Sequence, residues 1–292
     1  MKKIIDVNLY AYGNGAQNAD CEQGALTLKK AIEKSDLTTH CHFQPPLTVH
    51  NRKQQADALN DIATLSNTLA QSTQQSLLNN HFFLTLGGDH TAAIGSWSGA
   101  AHVINNLGLI WFDAHMDSHT VETTQSNNIH GMPLAILLGH GEKKLTTILS
   151  NQPKLKPDNV VLIGVRSYES GETALLKKLG VKIFFMEDIK TQGMKAVISE
   201  SIKTVTQNTD AFGISIDLDG FDPIDAPGVG TAEKNGVRAA IFLSEFSAIT
   251  THPKLIGMDI VEFNPTLDVN HKTEKLTLKL IRCLISNNAI KN

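Results

Sequence analysis

The chain has 292 residues, of which 41% are hydrophobic and 19% charged, a balance typical of a soluble globular protein. Its formal net charge of −3 provides no electrostatic basis for binding nucleic acid or an anionic membrane. No window approaches the roughly 18 apolar residues of a membrane-spanning helix, and Asp6 and Asn8 interrupt the apolar start that a signal peptide would need.

Eight strand-like runs alternate with helical segments along the chain. The strands are predicted at residues 3–10, 39–43, 82–86, 108–112, 159–165, 181–185, 212–218 and 255–261. Helices are predicted between most of them, for example at residues 23–34, 54–78, 172–179, 194–207 and 273–286. This alternation favours βαβ units, which build a mostly parallel sheet covered by helices on both faces. Because no linker-like tract or repeat interrupts the pattern, we expect residues 1–292 to form a single α/β domain.

The three cysteines indicate the compartment. Cys21, Cys41 and Cys283 are odd in number, widely spaced and outside the charged motifs. They predict reduced thiols rather than disulfides or zinc ligands. We therefore expect a cytoplasmic protein.

Polar motifs follow the strands where they end. LTLGGDHT follows the third predicted strand, DAHMD the fourth and GVRSYESGE the fifth, while ISIDLDGFDP ends the seventh and MDIVEFNP the eighth. In open parallel sheets the ligand crevice lies at the carboxyl ends of the strands. We expect these five motifs, distant in sequence, to meet at one edge of the sheet.

The most informative stretch extends from Leu109 to Pro133. It begins as an apolar run and then places Asp113, His115 and Asp117 at every second position. Alternate side chains of an extended segment share one face, so these three groups can converge on one point. Two carboxylates and an imidazole at the end of a buried strand require a neutralising cation. The pattern predicts a metal site.

Two further motifs supply the remaining ligands. A tight Gly-Gly turn precedes His90, and Asp217 and Asp219 again alternate along a strand end. Four carboxylates and two imidazoles carry too much negative charge for one divalent ion but suit two, with bridging carboxylates. An oxygen-rich site without thiolates favours manganese over zinc. Two metals that share a water can acidify it for attack on an electrophilic carbon, so the site predicts a hydrolase.

Simpler interpretations exist for each motif taken alone. DAHMD could be a solvated loop, GGDH an ordinary turn, and SIDLDGFDP a strand followed by a turn. Three such motifs at three strand ends favour the metal site over these alternatives. His40 and His42 flank Cys41 and resemble a ligand cluster, but no carboxylate accompanies them in the sequence, and we interpret them as a strand end.

The motifs together resemble those of a known family. GGDHT, FDAHMDSHT, SNNIHGMPLA, SIDLDGFDP and DIVEFNP are similar to the signature motifs of the ureohydrolases, and SNNIHGMP most closely resembles the arginases. The resemblance is collinear from about Gly13 to Pro265. It implies a three-layer αβα fold with an about eight-stranded sheet, two Mn²⁺ ions per chain and hydrolysis of L-arginine to L-ornithine and urea.

The resemblance also implies roles for individual residues. One manganese ion would take His90, Asp113, Asp117 and Asp217, and the other would take Asp113, His115, Asp217 and Asp219. A metal-bridging hydroxide would attack the guanidinium carbon and donate a hydrogen bond to Asp117. His130 matches the histidine assigned to proton transfer, and Glu262 the glutamate that pairs with the guanidinium group.

Substrate specificity is expected from the loop between Asp117 and His130. Ser126 and Asn128 match side chains that hold the α-carboxylate of arginine in arginases. Glu169 and Glu172 lie where arginases place acidic groups near the α-amino end, and Thr231 matches an active-site threonine. As separate loop residues these would also be unremarkable, because Ser, Asn and Glu are common in loops.

The chain departs from the arginase pattern at several positions. His119 stands where many arginases carry asparagine, and Glu169 where many carry aspartate. Residues 231–235 are also more charged than the usual family segment. His119 can still donate a hydrogen bond to a substrate carboxylate. The resemblance further implies a homo-oligomer, either a trimer or a hexamer.

Two alternatives to arginase activity remain at this point. A ureohydrolase of the same family acting on agmatine or formimidoylglutamate would share the metal ligands, but agmatine lacks the α-carboxylate that Ser126 and Asn128 are expected to hold. A metal-binding protein with a regulatory or structural role would bind metal without turnover. The catalytic positions are all filled by competent residues, which favours the enzyme.

Overall fold

Parallel β-strands form the centre of the structure, a computed structural model in which residues 4–16, 19–49 and 58–288 are described. Within these ranges eight strands make one sheet. They are β1 (Ile5–Tyr10), β2 (Cys41–Phe43), β3 (Phe82–Gly87), β4 (Leu107–Phe112), β5 (Val160–Val165), β6 (Lys182–Phe185), β7 (Ala211–Asp217) and β8 (Leu255–Val261). The strand order is β2-β1-β3-β8-β7-β4-β5-β6, and every pairing is parallel.

Ten α-helices in the same ranges connect and cover the strands. They are α1 (Glu22–Glu33), α2 (Ala58–Leu78), α3 (Ala92–Val103), α4 (Pro133–Leu137), α5 (Lys143–Thr146), α6 (Ser170–Leu179), α7 (Met186–Gln192), α8 (Met194–Gln207), α9 (Ala239–Thr250) and α10 (Lys272–Asn288). None of the helices that the structure describes combines the length and apolar character needed to cross a membrane.

The helices lie in two layers, one on each face of the sheet. Alternation along β4 shows both faces, because Ile110 and Phe112 pack into a core with α1 and α7 to α10, whereas Leu109 and Trp111 pack into a core with α3, α4 and α6. All six residues of β4 are buried, as expected for a strand covered on both sides. The predicted αβα class is therefore confirmed.

The predicted elements agree with the observed ones to within a few residues. All eight predicted strands are present, and the five helices named from the sequence correspond to α1, α2, α6, α8 and α10. Lys3 of the first predicted strand and residues 54–57 of the second predicted helix lie outside the described residues.

The edge strand β2 is held to β1 by side chains as well as by main-chain pairing. Asp6 of β1 is buried, and its two carboxylate oxygens lie 3.0 Å from Nδ1 of His42 and 3.0 Å from Nδ1 of His81. The parallel register places Asp6 opposite His42. The sheet thus supplies His42 with a carboxylate partner that is not near it in the sequence.

Replacing Asp6 tests whether this cluster stabilises the sheet edge. Burial raises the pKa of Asp6, but hydrogen bonds with His42, Ser76 and His81 outweigh it and lower the pKa below its ordinary value of 3.8. The charged carboxylate therefore stabilises the fold above that pH, and the contribution is lost as the pH falls through the lowered pKa. We expect Asp6→Asn to cost about 1 kcal/mol near neutral pH, since solvent screens the exposed His42.

The measurement is urea unfolding at about pH 7 and again at pH values below 4. The difference between Asp6→Asn and the wild type should shrink at the lower pH. Asp158→Asn, a charge removal at an exposed position, serves as the control. A loss of equal size at both pH values would contradict a role for the charge of Asp6.

Candidate metal and substrate site

The site lies at the carboxyl ends of four neighbouring strands. β3, β8, β7 and β4 are adjacent in the sheet, and each is followed by one of the polar motifs. The chain leaves β4 towards β5 and leaves β7 in the opposite direction, towards β8. A reversal of this kind opens a crevice between two strands at the sheet edge. The expected convergence of distant motifs is explained by this topology.

Three predicted ligands, all carboxylates, face the imidazole of His90, the fourth predicted ligand of this group. Its Nδ1 atom lies 3.3 Å from Asp113 Oδ2, 2.8 Å from Asp117 Oδ2 and 3.0 Å from Asp217 Oδ2. All four side chains are buried, and their donor atoms are close enough together to bind one metal ion. We call these residues the first ligand group.

A second ligand group adjoins the first and shares Asp113 with it. It consists of Asp113, His115 and Asp219. Nδ1 of His115 lies 3.5 Å from Asp113 Oδ1 and 3.1 Å from Asp219 Oδ2. The shared carboxylate is the arrangement expected of a bridging ligand, whereas a bridging role for Asp217 stays a prediction.

The electrostatics of the cluster call for a cation. Burial and the charge of Asp113 raise the pKa of Asp117 to about 7, although His90 opposes this shift. Burial and the charges of Asp219 and Asp113 hold the pKa of Asp217 well above its usual range. Nδ1 of His90 has no hydrogen-bond partner in the described part of the chain, although three carboxylates face it. Buried carboxylates that repel one another, beside a ring nitrogen without a hydrogen-bond partner, suit a divalent metal ion.

Buried side chains support the ligands from behind, and the sequence motifs did not identify them. Trp111 stacks on the His90 ring at 4.2 Å and donates its Nε1–H to Asp113 Oδ2 at 2.9 Å. Nε2 of His90 lies 2.9 Å from Ser215 Oγ, which donates to Asp259 Oδ1 at 2.5 Å. Ser215 and Asp259 are polar residues within otherwise apolar strands, and this anomaly is a signal that sequence analysis could use.

The backbone is in an uncommon conformation at two of the predicted site residues. Asp117 has φ +47° and Glu262 has φ +64°, which is rare for residues other than glycine. Main-chain hydrogen bonds hold both, since Asp117 O accepts from Leu134 N and Glu262 N donates to Gly88 O. Strained backbone of this kind is often found at functional sites.

His130, which is partly buried, and Glu262, which is buried, form a pair beside the first ligand group. Nδ1 of His130 lies 3.0 Å from Glu262 Oε1, and the same oxygen accepts a hydrogen bond from the main-chain nitrogen of His90 at 2.9 Å. Burial lowers the pKa of His130, but the hydrogen bond and the charge of Glu262, with those of Asp117 and Asp89, outweigh it and raise the pKa to about 9. With its pKa above neutral, the His130 ring is protonated near pH 7.

A cavity of about 190 Å³ opens in front of the two ligand groups. His130 and ligands from both groups contribute to its wall. The predicted substrate residues all line it as well: His119, Ser126, Asn128, Glu169, Glu172 and Thr231. Of the predicted catalytic residues, Glu262 lies behind His130 rather than among the described residues of the wall. Tyr168 also lines the cavity and was not anticipated.

His119 and the two glutamates form a polar wall of this cavity. Nε2 of His119 lies 3.5 Å from Glu169 Oε2 and 3.4 Å from Glu172 Oε2. Glu172 also accepts hydrogen bonds from the main-chain nitrogens of Ser118 and Glu169, at 3.2 and 3.0 Å. The start of α6 is thus fastened to the loop that carries Ser126 and Asn128.

Arg166 fastens the opposite side of the site and was not identified from the sequence. Its guanidinium group donates to six main-chain carbonyls: those of Gly164, Asp219, Gly220, Phe221, Glu233 and Lys234. These carbonyls belong to the end of β5, the turn that carries Asp219, and the charged segment of residues 231–235. One partly buried side chain therefore joins three segments of the chain.

Fold and site together first define a class, an α/β protein with buried histidine and aspartate ligands for a metal at the carboxyl edge of a parallel sheet. Comparison with known proteins then identifies the family. The model of the arginase family matches residues 9–286. The chain belongs to the arginase family and is a hydrolase of that family.

Individual relatives agree with this assignment. The arginase of Bacillus subtilis is 36% identical over 278 residues, which cover 94% of each chain, and its crystal structure superposes with a TM-score of 0.90 over 97% of this chain and 98% of that one. The arginase of Bacillus caldovelox is 42% identical over 232 residues, which are 77% of this chain and 76% of the relative. The arginase of Entamoeba histolytica, solved in complex with L-ornithine, is 30% identical, with a TM-score of 0.89 over 97% of this chain and 98% of that one.

Removing the guanidinium group of Arg166 tests its structural role. Arg166→Met removes the donor that these carbonyls share, although Gly220 O still accepts from Val237 N, and we expect a loss of about 3 kcal/mol in the free energy of unfolding. Urea unfolding provides the measurement. Arg282→Met, which breaks the exposed ion pair with Asp36, should cause a much smaller loss. Equal losses in the two variants would show that the carbonyl contacts of Arg166 contribute little.

Proposed function

We propose that the protein hydrolyses L-arginine to L-ornithine and urea and that it binds two Mn²⁺ ions per chain. The observation that carries this proposal is the single cavity in which both ligand groups meet the loop of Ser126 and Asn128. Relatives named arginase support the substrate, and the Entamoeba arginase solved with L-ornithine supports the product.

The donor set supports manganese. His90, Asp113, Asp117 and Asp217 would hold one ion, and Asp113, His115, Asp217 and Asp219 the other. Oxygen donors dominate and no thiolate is present among these ligands, which suits a hard metal. When bound, the two ions would lower the pKa of a shared water and so provide a nucleophile near neutral pH for the guanidinium carbon. Asp117 would accept a hydrogen bond from that nucleophile.

Proton delivery falls to His130. The ornithine amine is a poor leaving group unless it is protonated, so a proton carrier is required beside it. His130 lines the cavity and is oriented by Glu262 at 3.0 Å. Glu262 Oε1 is occupied by His130 and the main chain of His90, so any contact with the guanidinium group would use its other oxygen.

The outer part of the cavity suits the amino acid end of the substrate. Ser126, Asn128 and His119 would donate hydrogen bonds to the α-carboxylate. Glu169 and Glu172 would attract the α-amino group, since both carboxylates border the cavity. Thr231 donates to Asp219 Oδ2 at 2.8 Å and so connects the rim to the second ligand group. A substrate with both an α-carboxylate and an α-amino group fits this wall better than agmatine.

The proposal has three further features. We propose a cytoplasmic location, which the free thiols of Cys21, Cys41 and Cys283 favour. A homo-oligomer, either a trimer or a hexamer, is proposed from the family resemblance. A single domain spanning residues 1–292 is proposed because all eight described strands belong to one sheet.

A substrate panel tests the proposed activity. Manganese-loaded protein should release urea from L-arginine, and its kcat/KM for arginine should exceed that for agmatine or formimidoylglutamate by about 100-fold. Agmatine lacks the α-carboxylate that Ser126, Asn128 and His119 would bind, so these donors would lose their partner. Asn128→Ala should raise KM for arginine more than it raises KM for agmatine. A preference for agmatine, or metal-loaded protein without activity on any guanidine, would contradict the proposal.

A pair of substitutions tests the separation of roles. Asp113→Ala removes the ligand common to both groups, so manganese content after dialysis should fall for both ions. His130→Ala should retain the metal and lower kcat by about 100-fold or more, as expected for loss of a general acid. Metal analysis and urea release are measured on the same samples. Equal metal loss in both variants would show that the assigned roles are wrong.

A further inference from the structure

The charged segment of residues 231–235 reaches the second ligand group through Glu233. Nε2 of His115 lies 4.0 Å from Glu233 Oε1, while Nδ1 of the same ring faces Asp113 and Asp219. A separation of 4.0 Å is that of an ion pair and is longer than a hydrogen bond. His115 is thus placed between two ligand carboxylates on one side and a third carboxylate on the other.

Several contacts hold Glu233 in this position. Ser167 Oγ donates to Glu233 Oε1 at 3.2 Å, and Arg166 donates to the carbonyl of Glu233 at 2.9 Å. The segment continues into Gly236, where an added Cβ would lie 2.6 Å from Arg166 Nη2, so the chain passes too close for another residue. Although the side chain of Glu233 is 41% exposed, its location is fixed from both the side chain and the main chain.

In metal-binding histidines, the ring nitrogen that does not bind the metal usually has a polar partner. A histidine that offers one ring nitrogen to a metal carries its proton on the other, and a carboxylate facing that N–H fixes the tautomer, orients the ring and strengthens the ligand. Nδ1 of His115 belongs to the ligand group, so Nε2 is the nitrogen that needs a partner. Glu233 is the carboxylate nearest to it among the ion pairs of the described chain.

We propose that Glu233 is a positioning residue that orients His115 and strengthens metal binding at the second ligand group. This inference rests on the proposed function only in that the second group binds a metal ion. It also accounts for the unusual charge of residues 231–235, which the motif resemblance leaves unexplained. Thr231 and Glu233 then act as a pair, the first on Asp219 and the second on His115.

Calorimetric titration of the metal-free protein with MnCl₂ tests the inference without measuring activity. The wild type should bind two equivalents. Glu233→Gln keeps the shape of the side chain but removes its charge, so binding of one equivalent should weaken about 10-fold while the other is retained. Glu187→Gln, which removes the charge of a carboxylate that is 76% exposed and pairs with Lys190 rather than with a ligand histidine, should bind both equivalents as the wild type does.

A second variant separates positioning from general damage. Ser167→Ala removes the hydroxyl that holds Glu233 and should weaken the same equivalent by a smaller factor. Combined with Glu233→Gln it should have no additional effect, because the two residues act through one contact. Unchanged binding by Glu233→Gln, equal weakening of both equivalents, or a wild type that binds one ion would each overturn the inference.

The outcomes also distinguish this inference from the proposed function. If the wild type releases urea from arginine but Glu233→Gln binds manganese normally, the inference fails and the function stands. If the wild type releases no urea but Glu233→Gln weakens the binding of one equivalent, the function fails and the role of Glu233 stands.

Discussion

The structure is organised around the repulsion between buried carboxylates. Asp113, Asp117, Asp217 and Asp219 lie within one small volume at the sheet edge, with His90 and His115 between them. Burial and mutual repulsion make such a group unfavourable without positive charge. Bringing these carboxylates together therefore lowers the stability of the fold, and binding of a metal ion would offset that loss. Much of the surrounding structure holds these side chains in place.

Three parts of the structure hold the ligands: the sheet, buried side chains behind them, and the loops at the rim. The parallel sheet brings the ends of four strands together, and its reversal of direction between β4 and β7 opens the crevice. Trp111, Ser215 and Asp259 support the ligands from the interior. Arg166 and the start of α6 fix the loops at the rim, the former through main-chain carbonyls and the latter through Glu172. The result is a rigid ligand set at the inner end of a cavity with a polar outer wall.

Local periodicity made much of this arrangement predictable. The alternation of Asp113, His115 and Asp117 predicted that they converge, and both ligand groups contain Asp113. The cause differs from the prediction, because β4 ends at Phe112, the chain then bends, and Asp117 has φ +47°. Helix α3 was harder to recognise, because nine of its twelve residues are buried and it lacks an amphipathic pattern. Its close approach to α2 depends on Gly99, where a Cβ would lie 2.3 Å from the carbonyl oxygen of Ala70. The contacts of Arg166 could not be predicted from the sequence, since they are made to main-chain carbonyls in three separate segments. Every residue has such a carbonyl, so the sequence does not show which ones Arg166 contacts.

The stacking of Trp111 on His90 has a consequence for how the protein can be observed. The chain contains two tryptophans. One of them, Trp111, stacks its ring on His90 and donates its indole N–H to Asp113. The other, Trp97, is buried against Phe83 in the core. Indole fluorescence responds to nearby charge and to paramagnetic ions. The fluorescence of Trp111 therefore reports on the ligand cluster, and Trp97 is an internal reference. Metal binding can be followed by intrinsic fluorescence without an added label.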